Sequence, residues 1–262
     1  MNRTTPIDAA HAAMTDAPDD GAARLKFYER LADGELFLML SGEPDGDNIS
    51  PEVFDIAEGR FVLVFDREDR LAAFSGRIVP YAALPGRVLA GMLAGQRLGL
   101  GLNLDVAPSS HLVPADAVDW LASTVANAPD KIEARVTKVH PPADLPETLF
   151  TALDAKLATA GGLAASAYLA GVTYDSGAKG HMLAFIDAAD AAHGALARAV
   201  AEALTFSGIE AGALDVGFFD ASAPVSASLA RTGLRFDLPE RILAEPARAT
   251  PGSDPDKPPI LK

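Results

Sequence analysis

The chain has 262 residues, enough for one large domain or two of ordinary size and for a large buried core. It contains no cysteine, which excludes disulfides and thiolate chemistry. Its 22 basic and 36 acidic residues give a formal net charge of −14, a field that repels phosphate backbones and anionic lipid, so neither nucleic acid nor a membrane surface is an expected partner.

No local basic patch offsets that field. The densest basic stretch, Lys131 to Lys138, also carries Glu133, and its Ile132, Ala134 and Val136 alternate with polar residues as in a half-buried strand. No apolar run approaches the roughly 20 residues that span a bilayer. The opening segment has neither the apolar core of a secretory signal nor the arginines of a mitochondrial leader, so a cytoplasmic location is expected.

Taken in chain order, residues 1–20 are small, polar and acidic and read as a flexible tail. Leu25, Tyr28 and Leu31 recur at helical spacing, and Gly34 can stop that helix. Glu35 to Leu40 reads as a strand. Phe61 to Phe65 (FVLVF) is a continuous β-branched and aromatic run, as in a strand buried on both faces. Asp66 to Arg70 (DREDR) reads as a turn, with LAAFS returning as a paired strand. A short helix is expected over Leu84 to Leu93 and a strand over Arg97 to Leu102. Pro114 to Asn127 is a marked helix: Pro114 suits the first turn, Asp116 and Asp119 complement its positive end, and Val118, Leu121 and Val125 share a face.

His140 to Pro146 (HPPADLP) reads as an ordered linker, because consecutive prolines exclude helix and sheet interior. Beyond it, Leu149, Leu153 and Leu157 line one face of a helix that Gly161-Gly162 ends. Ala164 to Val172 and Leu183 to Asp187 are expected to form a hairpin. A helix over Ala189 to Thr205 aligns Leu196, Val200 and Leu204. Ala213 to Phe219 is a strand, Pro224 to Ala230 a short helix and LRFDL a last short strand. Residues 246–262, rich in proline and charge, read as a second flexible tail.

Four segments carry a family resemblance: GRFVLVFDREDRLAAF, PYAALPGRVLAGML, LGLGLNLDVAPSSHLVPADAVDWL and LFTALDAKLATAGGLAASAYLAGVTYDSGAKGHMLAFID. Together they resemble the SseB (enhanced serine sensitivity) family, with an N-terminal domain over residues 22–139 and a C-terminal domain over 145–240. The family pattern after the leucine-rich strand reads Asn-Pro-Gly. Here it is Asn103-Leu104-Asp105, so a different turn is expected, through Pro108. The resemblance implies a fold and an accessory or regulatory character, and brings no catalytic residue or cofactor with it.

Candidate chemistry is sparse. Asp66 follows a buried-looking strand as a Walker B or phosphatase aspartate would, but G-x-x-x-x-G-K-[ST] is absent and Glu68 stands where a phosphatase would place a second aspartate. Asp66 therefore reads as part of a solvated turn. Gly95, Gly99 and Gly101 do not make G-x-G-x-x-G and read as strand glycines that allow close backbone approach. His11, His111, His140, His181 and His193 are too far apart in sequence to form a local metal pair. Ser109-Ser110-His111 lacks the oriented base that activates a serine, and no G-x-S-x-G elbow occurs. Asp19-Asp20 and Asp45/Asp47 lie in polar loops, and Asp45 to Ser50 lacks the sixth-position glycine and distal glutamate of a calcium loop.

The sequence therefore predicts an α/β (α+β) protein of two small domains, each a mixed sheet covered by helices. No catalytic, cofactor-binding or metal residue is assigned. The expected function is non-catalytic, through contacts with a protein partner of unknown identity. The alternatives are a sensor of a small, amino-acid-related ligand and an enzyme whose site is assembled from distant loops.

Overall fold

The computed structural model describes residues 4–46, 48–126, 135–209 and 214–239. It is an α+β fold in two parts, each built on a mixed sheet.

The first part begins with α1 (Pro6–Asp16) and α2 (Gly21–Asp33). The strands β1 (Glu35–Met39), β2 (Val53–Ile56) and β3 (Gly59–Phe65) follow, then α3 (Glu68–Ser75), β4 (Tyr81–Pro85) and α4 (Gly86–Leu93). The part closes with β5 (Gly99–Leu102), β6 (His111–Val113) and α5 (Ala115–Ala126). The sheet order is β4-β1-β3-β5-β6, and β2 also pairs with β3. Strand β3 is the spine. It runs parallel to β5, with Val64 opposite Leu102, and antiparallel to β1 and β2.

As its unbroken apolar run predicts, β3 is buried on both faces. Val62 and Val64 join the core under α2, α4 and α5, whereas Leu63 and Phe65 join a second core with Leu71 of α3. The helices approach closely at Gly86, where an added Cβ would lie 1.8 Å from the Leu31 carbonyl oxygen.

The second part comprises β7 (Val136–His140), α6 (Glu147–Leu157), β8 (Ser166–Tyr174) and β9 (Lys179–Ile186). It continues through α7 (His193–Phe206), β10 (Asp215–Phe219), α8 (Pro224–Thr232) and β11 (Leu234–Phe236). Its order is β10-β9-β8-β11, with β7 also on β8. The expected hairpin is β8–β9, and α7 carries the chain over to β10, parallel to β9. The face formed by Leu149, Leu153 and Leu157 is buried as its spacing requires.

Several expectations are corrected. In place of the flexible tail expected over residues 1–20, residues 6–16 form α1. Thr5 and Asp8 make a reciprocal capping box there, Pro6 occupies the first turn, and Ile7 and Ala10 enter the core. The turn and returning strand expected after Phe65 are a helix, α3. Its Glu68 and Asp69 suit the positive end, and Gly76, at φ 60°, ends it in the left-handed conformation. Strand β7 belongs to the second sheet, so the strand expected across residues 131–138 pairs beyond the linker; its first four residues lie outside the described residues. The tail expected over 246–262 also lies outside them.

The two parts meet through α7. Phe206, 4% exposed, inserts into the core of the first part, with its ring 6.2 Å from that of Trp120. Around it lies a mixed-charge cluster. Lys156 Nζ is 2.7 Å from Asp33 Oδ2 and 3.0 Å from Glu202 Oε2, and Arg87 bridges Glu202 (2.9 Å) and Asp33. An open cleft of about 400 Å³ runs beside it, bordered by Lys26, Glu29, Thr148 and Phe206.

Candidate functional site

The parallel pair β3–β5 places two polar residues side by side where the strands end. Asp66 follows Phe65 and Asn103 follows Leu102. The Asn103 N–H donates to the Val64 carbonyl at 2.9 Å, which extends the ladder by one residue. The Asp66 N–H in turn donates to Asn103 Oδ1 at 3.1 Å. Asn103 is fully buried at φ 48°, a left-handed conformation that asparagine tolerates better than most residues. The turn expected through Pro108 is thus made by Asn103 and by Asp105, at φ 59°.

Arg70 reaches this point from α3, and α1 caps it. The Arg70 guanidinium donates from Nη1 to Asp66 Oδ1 (2.7 Å) and Asp8 Oδ1 (3.0 Å), and from Nη2 to Asp8 Oδ2 (2.5 Å). Asp8 Oδ1 also accepts from the Ser109 hydroxyl at 2.6 Å, while Asn103 Nδ2 donates to that hydroxyl at 2.9 Å. Thr5 donates its N–H to Asp8 and its hydroxyl to Asp66. The side chains of Asp8, Asp66 and Arg70 are 5%, 3% and 5% exposed. Burial opposes ionisation of Asp8, but hydrogen bonds from Arg70, Ser109 and Thr5, with the Arg70 charge, outweigh it and hold the carboxyl well below the usual carboxylate range. Arg70 Nε is buried and has no hydrogen-bond partner among the described residues.

Residues 8–120 match the family model of the SseB protein N-terminal domain. Over that stretch the chain is similar to the SseB N-terminal domain. No curated protein and no solved structure matches the chain. Asp8, Asp66, Arg70, Asn103 and Ser109 all fall inside the SseB region, and Thr5 lies just before it.

The SseB-like domain thus collects residues that the sequence keeps apart. Asp66 is not in a solvated turn but buried against a cation, and Ser109, in the loop before β6, is fully buried. Two of the five histidines also meet. His11 of α1 and His111 of β6 lie with ring centroids 5.2 Å apart, both against Phe27, and burial followed by the His11 charge lowers the His111 pKa. The remaining three are dispersed: His140 beside Thr173, His181 against the Ala143 carbonyl, and His193 stacked on Phe218 at 3.8 Å. Among the described residues no group of three or more His, Asp or Glu is arranged to hold a metal.

Gly99 and Gly101 behave as expected, because a Cβ at either would meet Phe61 or Leu63 at under 3 Å. Gly95, at φ 74°, follows the end of α4. Asp20 caps α2 through a bond from the Ala22 N–H (2.8 Å), Asp45 pairs with Asn48 across a tight turn, and Asp47 lies outside the described residues. Among the described residues no helix is long and apolar enough to cross a membrane.

The sequence reading missed Asp8 and Arg70. Signals for both exist. Thr5-Pro6-Ile7-Asp8 has the spacing of a capped helix start, and Arg70 stands four residues after Asp66, the spacing of a helical ion pair.

Proposed function

We propose that this SseB-like chain is a non-catalytic regulatory protein of the cytoplasm that acts through contacts with another protein. Its first domain would run from α1 through α5 and its second from β7 through β11, the second corresponding to the family's C-terminal domain. The observation that carries the reading is the engagement of both carboxylates in the buried cluster. Each oxygen of Asp8 and Asp66 already accepts from Arg70, Ser109 or Thr5. Such a constellation latches a peripheral helix to the end of a strand pair, and a latch with two positions is the ordinary means of regulating a contact surface.

Affinity purification at native expression tests this. A partner retained reproducibly by the wild type, with retention altered by Asp8→Asn, supports the reading; no partner retained by either form contradicts it.

A second reading, a sensor of a small amino-acid-related ligand, is favoured by the cluster's position at the carboxyl ends of parallel strands, where open α/β sheets bind ligands. A dose-dependent rise in melting temperature with one member of an amino-acid and nucleotide panel would support it. The same melting temperature across the panel would contradict it.

A further inference from the structure

The parts of the buried cluster are held with unequal firmness. Asp66 is fixed by its own segment: it immediately follows β3, its N–H is bound by Asn103, and it pairs with Arg70 at i, i+4. Asn103 and Ser109 belong to one short turn and orient each other. Asp8 comes from outside this frame. It is carried by α1, of which Ile7, Asp8 and Ala10 are the buried residues.

Without Asp8, what remains is a receptor. The two Nη groups of Arg70 and the hydroxyl of Ser109 converge on the positions of two oxygens bonded to one carbon. Paired N–H donors on one carboxylate are the arrangement for which a guanidinium is suited. The buried Arg70 Nε, left without an acceptor, adds unused donor capacity to the same guanidinium. The charge also selects. With Asp66 already paired to Arg70, the frame is neutral and accommodates one negative charge; a doubly charged phosphate would face the Asp66 carboxylate.

We propose that Arg70, Ser109 and Asn103 form a carboxylate-binding site at the ends of β3 and β5, which Asp8 fills from within the chain and from which an external carboxylate displaces α1. The ligand is a singly charged carboxylate, carried by a small free acid or by an acidic side chain of a peptide. The inference rests on the geometry of the cluster alone, so a failure to capture a protein partner would leave it standing.

The test uses the full chain as wild type, Asp8→Ala and Asp8→Ala/Arg70→Gln. Each is titrated with sodium acetate, and with sodium chloride at matched ionic strength, while the melting temperature is read. Acetate should raise the melting temperature of Asp8→Ala saturably where chloride does not, with a response at least about tenfold weaker in the double variant, which lacks the charged fork. In the wild type, acetate competes with Asp8 and should speed amide exchange across residues 6–16.

A peptide of residues 4–17, with and without Asp8→Asn, separates the two sources. If the Asp8 peptide binds the Asp8→Ala chain at least about tenfold more tightly than acetate, and the Asn peptide does not, the occupant is a peptide side chain; comparable affinities point to a small acid. Equal acetate responses in all three proteins, or none in any, overturn the proposal. Should Asp8→Ala fail to fold, Asp8→Asn takes its place, and the wild-type exchange measurement stands by itself: exchange across residues 6–16 that ignores acetate overturns the proposal.

Discussion

Replacing Arg70 by Met keeps most of the apolar stem and removes the one cation shared by Asp8 and Asp66. Both carboxylates are almost wholly buried, so the variant leaves two negative charges in the protein interior with hydroxyl and amide partners only. Breaking a buried pair in this way costs about 3–5 kcal/mol, against roughly 0–1 for an exposed one. The pH dependence carries a definite sign. In the wild type the Asp8 pKa lies below its unfolded value. Its contribution is therefore complete above the ordinary carboxylate pKa of about 4 and is lost as pH falls through the folded value.

In the Arg70→Met variant the Asp8 carboxylate, buried without its cation, should ionise less readily, so the variant regains stability as it takes up a proton. The difference between the two proteins should be largest at pH 7 and shrink steadily toward pH 4. Urea unfolding at pH 7, 5.5 and 4, followed by fluorescence of the single tryptophan, Trp120, measures it. A loss under about 1 kcal/mol at pH 7, as for an exposed pair, would refute the reasoning. So would a loss that does not change with pH.

Phe206→Ala removes the ring that α7 inserts into the first core, and should cost about 3–5 kcal/mol with a change in the native emission of Trp120; denaturant unfolding under about 1 kcal/mol from wild type would contradict the account of the junction. Val62→Asp or Val64→Asp buries an unpaired charge in the central strand and should destabilise by more than about 4 kcal/mol; thermal melts matching wild type would contradict the burial of β3.

Much of the fold is legible in the sequence because single-segment patterns encode it. FVLVF is buried on both faces, the Pro114 helix begins where its proline and aspartates suit, and the leucines at 149, 153 and 157 form one face. Legibility falters where two signals conflict. DREDR looks like a turn by composition, yet acidic residues at the head and Gly76 after the end are also what a short helix requires. Residues 1–20 look like a tail because alanine and aspartate dominate, yet three buried residues and a capping box suffice to hold α1 once a surface exists to receive it.

The candidate site is a different matter. Asp8, Arg70 and Ser109 are brought together across separations of 62 and 101 residues from Asp8. The parallel register of β3 with β5 places Asp66 beside Asn103, and no local pattern reports a register between distant strands. The contact of His11 with His111 has the same origin.

The central claim is that α1 is latched to the carboxyl ends of β3 and β5 through Asp8. Native-state hydrogen exchange resolved along the chain tests it most directly, with wild type and Asp8→Asn compared at neutral pH. The account predicts that amides within residues 6–16 are protected in the wild type. It also predicts that they lose that protection in the variant, while β3 and β5 exchange as before. Wild-type amides over residues 6–16 exchanging as fast as an unstructured peptide, or equal protection in the two proteins, would contradict it.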